Sequence, residues 1–510
     1  MPSRTTTLRL GAAVLAAATG LSMTAIPASA AQQTVPDGPA LARQLVKKVS
    51  ITGLNRHLVA FQRIADRSGG NRAAGAEGHE ASAEYVATKL EAAGYTVTRQ
   101  EFPFVYDETE VQTATVDGVD LPVARMAYSQ DTPAGGVTGP LVVVPPDATP
   151  GCEASDYEGL APEGAIVLVR RGSCPFADKA LVAAEVGAAA VIIYNNVPGA
   201  LNGTLGGPNP DAVPAAGVTQ EQGAALAEQA GATVTLDLQG VMEDRSTYNV
   251  IAETQTGRAN NVVMAGAHLD SVGDGAGIND NGTGSAALLE TALQLGGSPR
   301  VNNKVRFAWW GAEEHGLVGS EYYVQNLDFE AQLDIALYLN FDMIGSPNAG
   351  YFIFDGDNSD GVGAGEGPYG SGQIEAAFAN YFEATGVPTE GTDFNGRSDY
   401  NEFIVNGIPA GGLFTGGDMV KTEAQVDKWG GTAGITFDPC YHSRCDNLGN
   451  VDRVAFDRMA DGAAWVIASY GISTEDVNGV PPRQARAKAR VAEKRAMATE
   501  VVADPEHAAV

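Results

Sequence analysis

Three apolar, strand-like runs in the middle of this chain are each followed by acidic residues or histidine. The runs are Val262 to Ala267, Val305 to Trp310 and Ile335 to Phe341. Short apolar runs separated by helix-length segments predict βαβ units and a mostly parallel sheet. Open α/β sheets bind their ligands beyond the carboxyl ends of the strands. The polar groups after these runs should therefore meet at one edge of a sheet, and we expect a metal site there.

The polar patches contain the residue types that zinc uses as ligands. Zinc binds nitrogen and oxygen donors, and a catalytic site keeps one coordination position open. Two of the six histidines lie in the patches together with three candidate carboxylates: the set is His268, Asp280, Glu314, Asp342 and, in the later segment Cys440-Tyr-His-Ser-Arg-Cys445, His442. These ligands are more than one catalytic zinc normally uses, so the sequence favours two metals that share a carboxylate and a water.

The pair Glu313-Glu314 places a base beside a candidate ligand. Two cations lower the pKa of a shared water, so that hydroxide exists at neutral pH. Glu313 is the natural group to accept the proton and pass it to the departing amine. Taken singly, paired glutamates often begin a helix, where they favour its dipole. Gathered at one site without partners, however, the carboxylates would be costly, and this favours the metal hypothesis.

The composition excludes several classes of protein. A formal charge of -30 and a pI near 4.5 argue against nucleic acid or an anionic membrane as partner, since both need clustered Lys and Arg. The 510 residues, 44% of them hydrophobic, are ample for the cores of a multidomain globular protein. No G-x-S-x-G elbow and no Walker loop occurs, so serine-hydrolase and P-loop chemistry are unsupported.

The amino-terminal segment predicts export. Residues 1–30 have the pattern of a secretory signal, with Arg4 and Arg9 before an apolar stretch from Leu10 to Leu21 and an A-x-A site at residues 28–30. The apolar stretch is shorter than the ~20 residues of a membrane-spanning helix. We therefore expect a secreted, extracellular protein without a membrane span.

Four cysteines, Cys152, Cys174, Cys440 and Cys445, fit this prediction. An even number in an exported protein predicts two disulfides, and three pairings are open. Proximity in the sequence favours Cys152–Cys174 and Cys440–Cys445. Zinc-binding thiolates are the weaker interpretation because no C-x-x-C spacing occurs.

A change of texture divides the chain into a main domain and an insert. Residues 40–105 and 246–472 show helix and strand signals and are assigned to the main domain. The first of these two parts ends with a predicted strand from Tyr95 to Val105. Residues 115–245 are richer in short strands, turns, glycine and proline, so we interpret them as an inserted domain. Residues 474–510 shift to an Arg/Lys/Ala-rich composition, and we expect an appendage that is open to removal.

The insert resembles the protease-associated domain. The resemblance is carried by the stretch from Arg170 to Lys179 and by the apolar run that ends at Tyr194-Asn195. That domain is a small α/β insert found in several exported peptidases. The resemblance implies a role in shaping or covering access to an active site.

The acid and histidine patches resemble those of double-zinc exopeptidases, typified by secreted bacterial leucine aminopeptidases. The resemblance implies a three-layer α/β/α domain with a mixed, mostly parallel sheet. It also implies that His268 and Asp342 hold one zinc, that Glu314 and His442 hold the other, and that Asp280 bridges them.

The same resemblance assigns the catalytic groups. Glu313 matches the general base, and Asp270 matches a carboxylate that orients His268. Tyr441 matches a tyrosine whose hydroxyl donates to the tetrahedral oxyanion. The pair Cys440–Cys445 would pin the loop that carries Tyr441, which supports that pairing.

Two further segments, from Asp393 to Tyr400 and from Gly407 to Gly416, are similar to the family's pocket for the first substrate residue. By resemblance, Arg397 lies beside the free amino terminus, and Leu413 and Phe414 form part of an apolar wall. An apolar pocket discriminates between substrate side chains that differ by one methylene group by only about 1–3 kcal/mol. A loose preference for large apolar residues such as Leu is therefore expected.

We predict a secreted, monomeric, zinc-dependent aminopeptidase that acts on the amino ends of peptides or proteins. The alternatives are a double-zinc carboxypeptidase of the same fold and a non-catalytic binding protein on this scaffold. The carboxypeptidase would need a basic pocket, and Arg397 is the obvious cation near the patches. Asp355, Asp357 and Asp360 offer carboxylates for Ca²⁺, but their spacing does not fit an EF-hand loop, and a solvated turn is the simpler interpretation.

Overall fold

A computed structural model describes residues 37–172, 174–197, 199, 201–363, 365–477, 487–488 and 490–492. The predicted signal segment at residues 1–30 lies outside the described residues, as does most of the predicted appendage. Among the residues described, no helix combines the length and the hydropathy needed to cross a bilayer.

Strands and helices alternate along the main domain. The strands of the described residues are β1 (Thr96–Val116), β2 (Val119–Leu121), β3 (Ala124–Arg125), β4 (Val137–Val143), β5 (Ile166–Arg170), β6 (Ala190–Tyr194), β7 (Ala215–Val218), β8 (Thr233–Glu253), β9 (Arg258–His268), β10 (Asn303–Trp310), β11 (Ile335–Phe341), β12 (Phe352–Phe354), β13 (Glu390–Thr392) and β14 (Ala410–Phe414). The helices are α1 (Gly38–Val46), α2 (Ile51–Arg67), α3 (Glu77–Ala92), α4 (Phe176–Glu185), α5 (Gln220–Ala227), α6 (Gly282–Leu295), α7 (Val318–Gln325), α8 (Phe329–Asp334), α9 (Ser371–Thr385), α10 (Asn401–Val405), α11 (Glu423–Trp429) and α12 (Arg453–Ile472), with short 3₁₀ turns at Ala154–Tyr157 and Leu448–Asn450.

The main sheet is mixed and mostly parallel at its centre. Its strand order is β13-β12-β14-β11-β9-β10-β8, and β10, β9, β11 and β14 run parallel to one another. Strands β8 and β12 join antiparallel. The predicted runs after which the polar patches occur are β9, β10 and β11, and the predicted sheet type is confirmed.

Both faces of the central strands are covered, which explains why their sequences are almost wholly apolar. Val263 and Ala265 of β9 pack into a large core with helices α2, α3, α6, α9 and α12. Met264, between them, faces a second core with side chains of α7 and α10. Because successive side chains of a strand point to opposite faces, this split produces the three-layer α/β/α arrangement.

The insert is joined to the main sheet by a long two-stranded ribbon. Strands β1 and β8 pair antiparallel from Thr96↔Glu253 to Val116↔Val234, with a single irregularity between Thr109 and Val111. The strand predicted to end at Val105 therefore continues into the insert. There β4, β5, β6 and β7 pair in parallel, and β3 adds to the edge antiparallel.

Both disulfides have the pairing favoured by proximity. Cys152 is bonded to Cys174 inside the insert, and Cys440 is bonded to Cys445 in the segment that carries His442. The predicted appendage begins too early, because Thr474 is fully buried and its hydroxyl accepts a hydrogen bond of 3.0 Å from Asn261. Val477 is also fully buried, so the main domain extends at least to that residue.

The beginning of α6 is tied directly to the end of β11. Asn281 caps the helix by accepting from the Gly284 amide, and its own amide donates to the Phe341 oxygen at 2.9 Å. A Cβ atom on Gly284 would lie 2.1 Å from that oxygen. A glycine is required there because the helix and the strand end approach so closely, and this approach brings Asp280 beside Asp342.

We expect Gly284→Ala to lower the free energy of unfolding by about 1–3 kcal/mol, since the added methyl group overlaps backbone. Alanine would otherwise gain about 1 kcal/mol over glycine in a helix. Denaturant unfolding measures the change. Gly38→Ala in α1 is the control, because there the nearest atom to an added Cβ is 3.6 Å away. Equal stability of the two variants would contradict this explanation.

Candidate metal centre

The predicted ligands come together at the carboxyl ends of the parallel strands. His268 is the last residue of β9, and it lies opposite Trp310, the last residue of β10. Glu313 and Glu314 follow in the turn after β10, and Asp342 directly follows β11. Adjacent parallel strands end at the same edge of a sheet, which is why segments distant in sequence meet here.

Asp280 lies between the two imidazoles. Its Oδ1 is 3.2 Å from Nε2 of His268, and its Oδ2 is 3.3 Å from Nε2 of His442. On the outer sides, Asp342 Oδ1 lies 3.3 Å from His268 Nε2, and Glu314 Oε2 lies 3.0 Å from His442 Nε2. The arrangement is nearly symmetric, with one imidazole and one carboxylate on each side of a shared carboxylate.

The donor set fits divalent cations. Among the described residues, Glu314 Oε1 and Asp342 Oδ1 are buried and have no hydrogen-bond partner. Leaving a buried carboxylate oxygen without a hydrogen bond costs free energy, and a cation bound to it would remove that cost. Imidazole nitrogen and carboxylate oxygen are also the donors that zinc prefers. The residues present therefore fit the predicted metal.

The charges of the site act on one another. Burial raises the pKa of Glu313 well above its ordinary value, and although His268 opposes the shift, Asp342 adds to it. Burial lowers the pKa of His268, but the charges of Glu313 and Asp342 outweigh it and raise that pKa overall. The carboxylates thus repel one another and attract positive charge to the same point.

Asp270 holds the glutamate turn more directly than it holds the imidazole. Its carboxylate oxygens accept from the backbone amides of Glu313 and Glu314, both at 3.3 Å. Its Oδ1 is 3.7 Å from Nδ1 of His268, which instead lies 3.2 Å from the backbone oxygen of Asp270. A distance of 3.7 Å is too long for a hydrogen bond. Asp270 therefore contacts the backbone of Glu313 and Glu314 more closely than it contacts the imidazole, and its role in orienting His268 stays a prediction.

Tyr441 and Arg397 lie together at the open side of the site. The Arg397 guanidinium donates to the Tyr441 hydroxyl at 3.2 Å and forms an ion pair with Asp418 at 3.3 Å. The Tyr441 ring stacks on His442 with 3.8 Å between the ring centroids. Burial raises the pKa of Tyr441 to about 12, so its hydroxyl keeps its proton at neutral pH.

The two predicted pocket residues face opposite sides of β14. Phe414 is partly exposed and lies near Gly417, which also approaches Met343. Leu413 is fully buried in the main core. The pocket role predicted for Leu413 is therefore wrong, because the alternation of side chains along a strand turns it away from the face that bears Phe414.

Sequence reasoning missed Arg72, a fully buried arginine that holds the loop between His268 and Asp280. Its guanidinium donates to the backbone oxygens of Leu269, Ala276 (2.9 Å) and Gly277 (2.5 Å). Burial lowers the pKa of Arg72 to about 10, so it remains charged at neutral pH. No local pattern marks this residue, because its partners lie 197 to 205 positions away along the chain.

Two other supporting residues were missed. Asp446 accepts from the amides of Asn279 and Asp280, at 2.8 and 3.0 Å, and so fixes the backbone of the central ligand. Ser398 donates to Asp342 Oδ2 at 2.6 Å. Asp446 directly follows the segment that ends at Cys445, and Ser398 lies inside the segment from Asp393 to Tyr400, so the singled-out segments are the signal that would have found them.

Two of the three acidic residues considered for Ca²⁺ belong to a separate group of carboxylates. Oxygens of Asp355 and Asp357 lie within 4.8 Å of each other and of Glu375, a residue that the sequence analysis did not consider. Both oxygens of Asp355 accept from backbone amides, those of Ser359 and Asp360 at 2.9 and 3.0 Å. This geometry fits the turn interpretation, and the Ca²⁺ hypothesis stays a prediction.

The fold and the site together define the class of protein: an α/β enzyme with a metal centre at the carboxyl ends of its strands. Comparison with known proteins identifies the family. Residues 249–467 match peptidase family M28, and residues 137–226 match the PA domain.

The similarity to individual proteins extends over most of the chain. The probable lipoprotein aminopeptidase LpqL of Mycobacterium tuberculosis is 46% identical over 460 residues, which cover 89% of this chain and 92% of that protein. Leucine aminopeptidase 2 of Trichophyton rubrum is 44% identical over 417 residues, covering 81% and 82%. An aminopeptidase structure from Aneurinibacillus sp. strain AM-1 superposes with a TM-score of 0.66 at 27% identity, covering 84% and 95%. The chain therefore belongs to peptidase family M28 with an inserted PA domain, as the resemblance predicted.

We expect Asp446→Asn to weaken zinc binding about 10- to 100-fold, the loss typical of groups that support ligands. The new amide would present a donor to one of two backbone amides that need an acceptor. Competition with a chelator measures the affinity. Asp427→Asn on the exposed side of α11 is the control and should bind zinc like the parent protein. Unchanged affinity in Asp446→Asn would show that the loop holds its shape without that contact.

Proposed function

We propose that this chain, a zinc-dependent aminopeptidase of family M28, uses two zinc ions to remove single residues from the amino ends of peptides. The observation that carries the proposal is the shared position of Asp280, with one oxygen toward each imidazole. A single metal ion could not be bound by both sets of donors, which lie on either side of Asp280. In this proposal His268 and Asp342 would hold one zinc, Glu314 and His442 would hold the other, and Asp280 would supply an oxygen ligand to each.

The two zinc ions would polarise the scissile carbonyl and lower the pKa of the attacking water. Glu313 accepts the proton of that water at a carboxylate oxygen and later passes it to the leaving amine. Its backbone is held by Asp270, so the carboxylate stays at the edge of the site, where its Oε2 is 3.9 Å from His268 Nε2.

Tyr441 stabilises the developing oxyanion by donating its hydroxyl proton in a hydrogen bond. Arg397 donates to the same hydroxyl oxygen, which leaves the tyrosine proton free for the substrate. Asp418 holds Arg397 from the other side. The guanidinium is thus engaged within the protein, which argues against its serving as the carboxylate anchor that a carboxypeptidase requires.

The pocket for the first residue would be apolar and only moderately selective. Phe414 lies on the same side of the sheet end as Gly417, where Met343 also approaches. Acidic groups at the site, Glu313 among them, would attract the substrate ammonium group. A preference for Leu or other large apolar residues fits these features and the name of the Trichophyton relatives.

We further propose that the protein is exported and acts outside the cell. The support is the signal pattern over residues 1–30, the two disulfides, and the similarity to a protein named as a lipoprotein aminopeptidase.

We expect rapid, chelator-sensitive cleavage of leucine p-nitroanilide and no cleavage of an amino-blocked dipeptide, since an acidic site favours a free ammonium group. Restoring zinc after chelation should restore the activity, and the zinc content of the purified protein should approach two per chain, about the number the donor set suits. Turnover of the blocked dipeptide alone would refute the aminopeptidase assignment, and a content of one zinc would refute the dinuclear site.

We expect Glu313→Gln to keep its zinc but to lose about 10²- to 10⁴-fold in kcat, the range for removal of a general base. Elemental analysis and steady-state kinetics on leucine p-nitroanilide test both parts. Glu423→Gln on exposed α11 serves as the matched control, with unchanged kcat. If Glu313→Gln lost zinc but kept the parent's kcat for each zinc ion still bound, Glu313 would be a metal ligand and not the base.

A further inference from the structure

One side chain of the insert contacts the turn that carries both active-site glutamates. The hydroxyl of Tyr128 donates a hydrogen bond of 2.6 Å to the backbone oxygen of His315. Tyr128 is 4% exposed and belongs to the apolar core of the insert. The contact is therefore part of a packed interface, made by a residue that lies outside both family matches.

The tyrosine itself is held firmly. Its backbone has a φ of +63°, a conformation that a residue with a bulky side chain adopts only when its surroundings enforce it. Its amide donates to Asp107 Oδ2 at 3.1 Å, and Asp107 forms a buried ion pair of 2.9 Å with Arg125. The guanidinium of Arg125 also donates to the Ser129 oxygen at 2.6 Å. These contacts fix the backbone on both sides of Tyr128, and its hydroxyl also lies 3.3 Å from the backbone oxygen of Val105 in β1.

The turn that receives this hydrogen bond is short and closed. The amides of Gly316 and Leu317 both donate to the Glu313 oxygen at 2.8 Å. Asp270 holds the amides of Glu313 and Glu314 on the side of the metal centre. Tyr128 holds the next residue, His315, through its backbone oxygen. The two glutamates are therefore clamped between a carboxylate of the main domain and a hydroxyl of the insert.

We propose that Tyr128 is a positioning residue for the peptidase reaction, through which the insert sets the places of Glu313 and Glu314. The proposal rests on the functions proposed above for those two residues. Without the hydroxyl, the turn keeps its internal hydrogen bonds and the packing of the His315 ring against Phe104 and Tyr106. It loses the hydrogen bond that fixes its backbone from outside, so the base is less often in the productive geometry. Such misplacement lowers kcat more than it raises KM, because groups elsewhere bind the substrate.

The test compares Tyr128→Phe with Tyr157→Phe, which removes a hydroxyl from another buried tyrosine of the insert. Tyr157 is 3% exposed, and its hydroxyl has no hydrogen-bond partner within the described residues. With leucine p-nitroanilide and zinc-loaded enzyme, kcat of Tyr128→Phe should fall about three- to tenfold, the loss expected for one hydrogen bond. Its KM should change little, and Tyr157→Phe should match the parent enzyme.

Hydrogen exchange of the metal-free proteins provides a second measurement that does not depend on turnover. The amides of Gly316 and Leu317 should exchange faster in Tyr128→Phe than in Tyr157→Phe. A variant that only loses thermal stability, while kcat and exchange equal those of the control, would overturn the proposal, and so would a change in only one of the two measurements. If the parent enzyme shows no chelator-sensitive aminopeptidase activity, the proposed function fails instead, and the exchange result then reports on the contact alone.

Discussion

The site depends on holding like charges together in a buried place. Asp280, Glu313, Glu314 and Asp342 converge on only two imidazoles. In an environment of low dielectric constant, carboxylates at such distances repel one another strongly unless positive charge lies between them. The protein must therefore supply rigidity before a metal binds, and the metal supplies the missing charge afterwards.

Rigidity is provided mainly through the backbone. Arg72 binds three carbonyl groups of one loop, Asp270 binds two amides of the glutamate turn, and Asp446 binds two amides beside the central ligand. Each of these side chains makes hydrogen bonds to peptide groups in loops, outside the regular hydrogen bonding of sheet and helix. The charged Arg72 also places positive charge behind the carboxylates, where it reduces their mutual repulsion.

The sequence predicts the parts of the structure that local patterns determine. Apolar runs in β9, β10 and β11 reveal a sheet buried on both faces, and the acidic and histidine patches reveal where those strands end. Contacts between residues that are distant in sequence cannot be predicted from local patterns. Arg72 acts on residues far along the chain, and its neighbours in sequence give no sign of it. Leu413 was misplaced because one residue of offset along a strand decides which face a side chain joins.

The end of the strand predicted at Val105 was also misplaced, and for an instructive reason. A change of composition near residue 106 suggests that one element ends and another begins. The structure has instead one strand, β1, which pairs with β8 from the edge of the main sheet into the insert, with buried positions at Phe102, Phe104 and Tyr106 and again at Ala114 and Val116. Composition records the environment of a residue, and an element that crosses from one environment to another looks like two.

The paired ribbon of β1 and β8 has a mechanical consequence. Domains joined by loose linkers can rotate about a hinge. Here the two domains are connected by a long antiparallel ladder of hydrogen bonds that has one irregularity, between Thr109 and Val111. A two-stranded ribbon of this kind can bend and twist, but it has no hinge about which the insert could rotate. The insert should therefore keep a fixed position relative to the glutamate turn that Tyr128 contacts, and any effect of the insert on the site would come from this fixed geometry and not from a hinge motion.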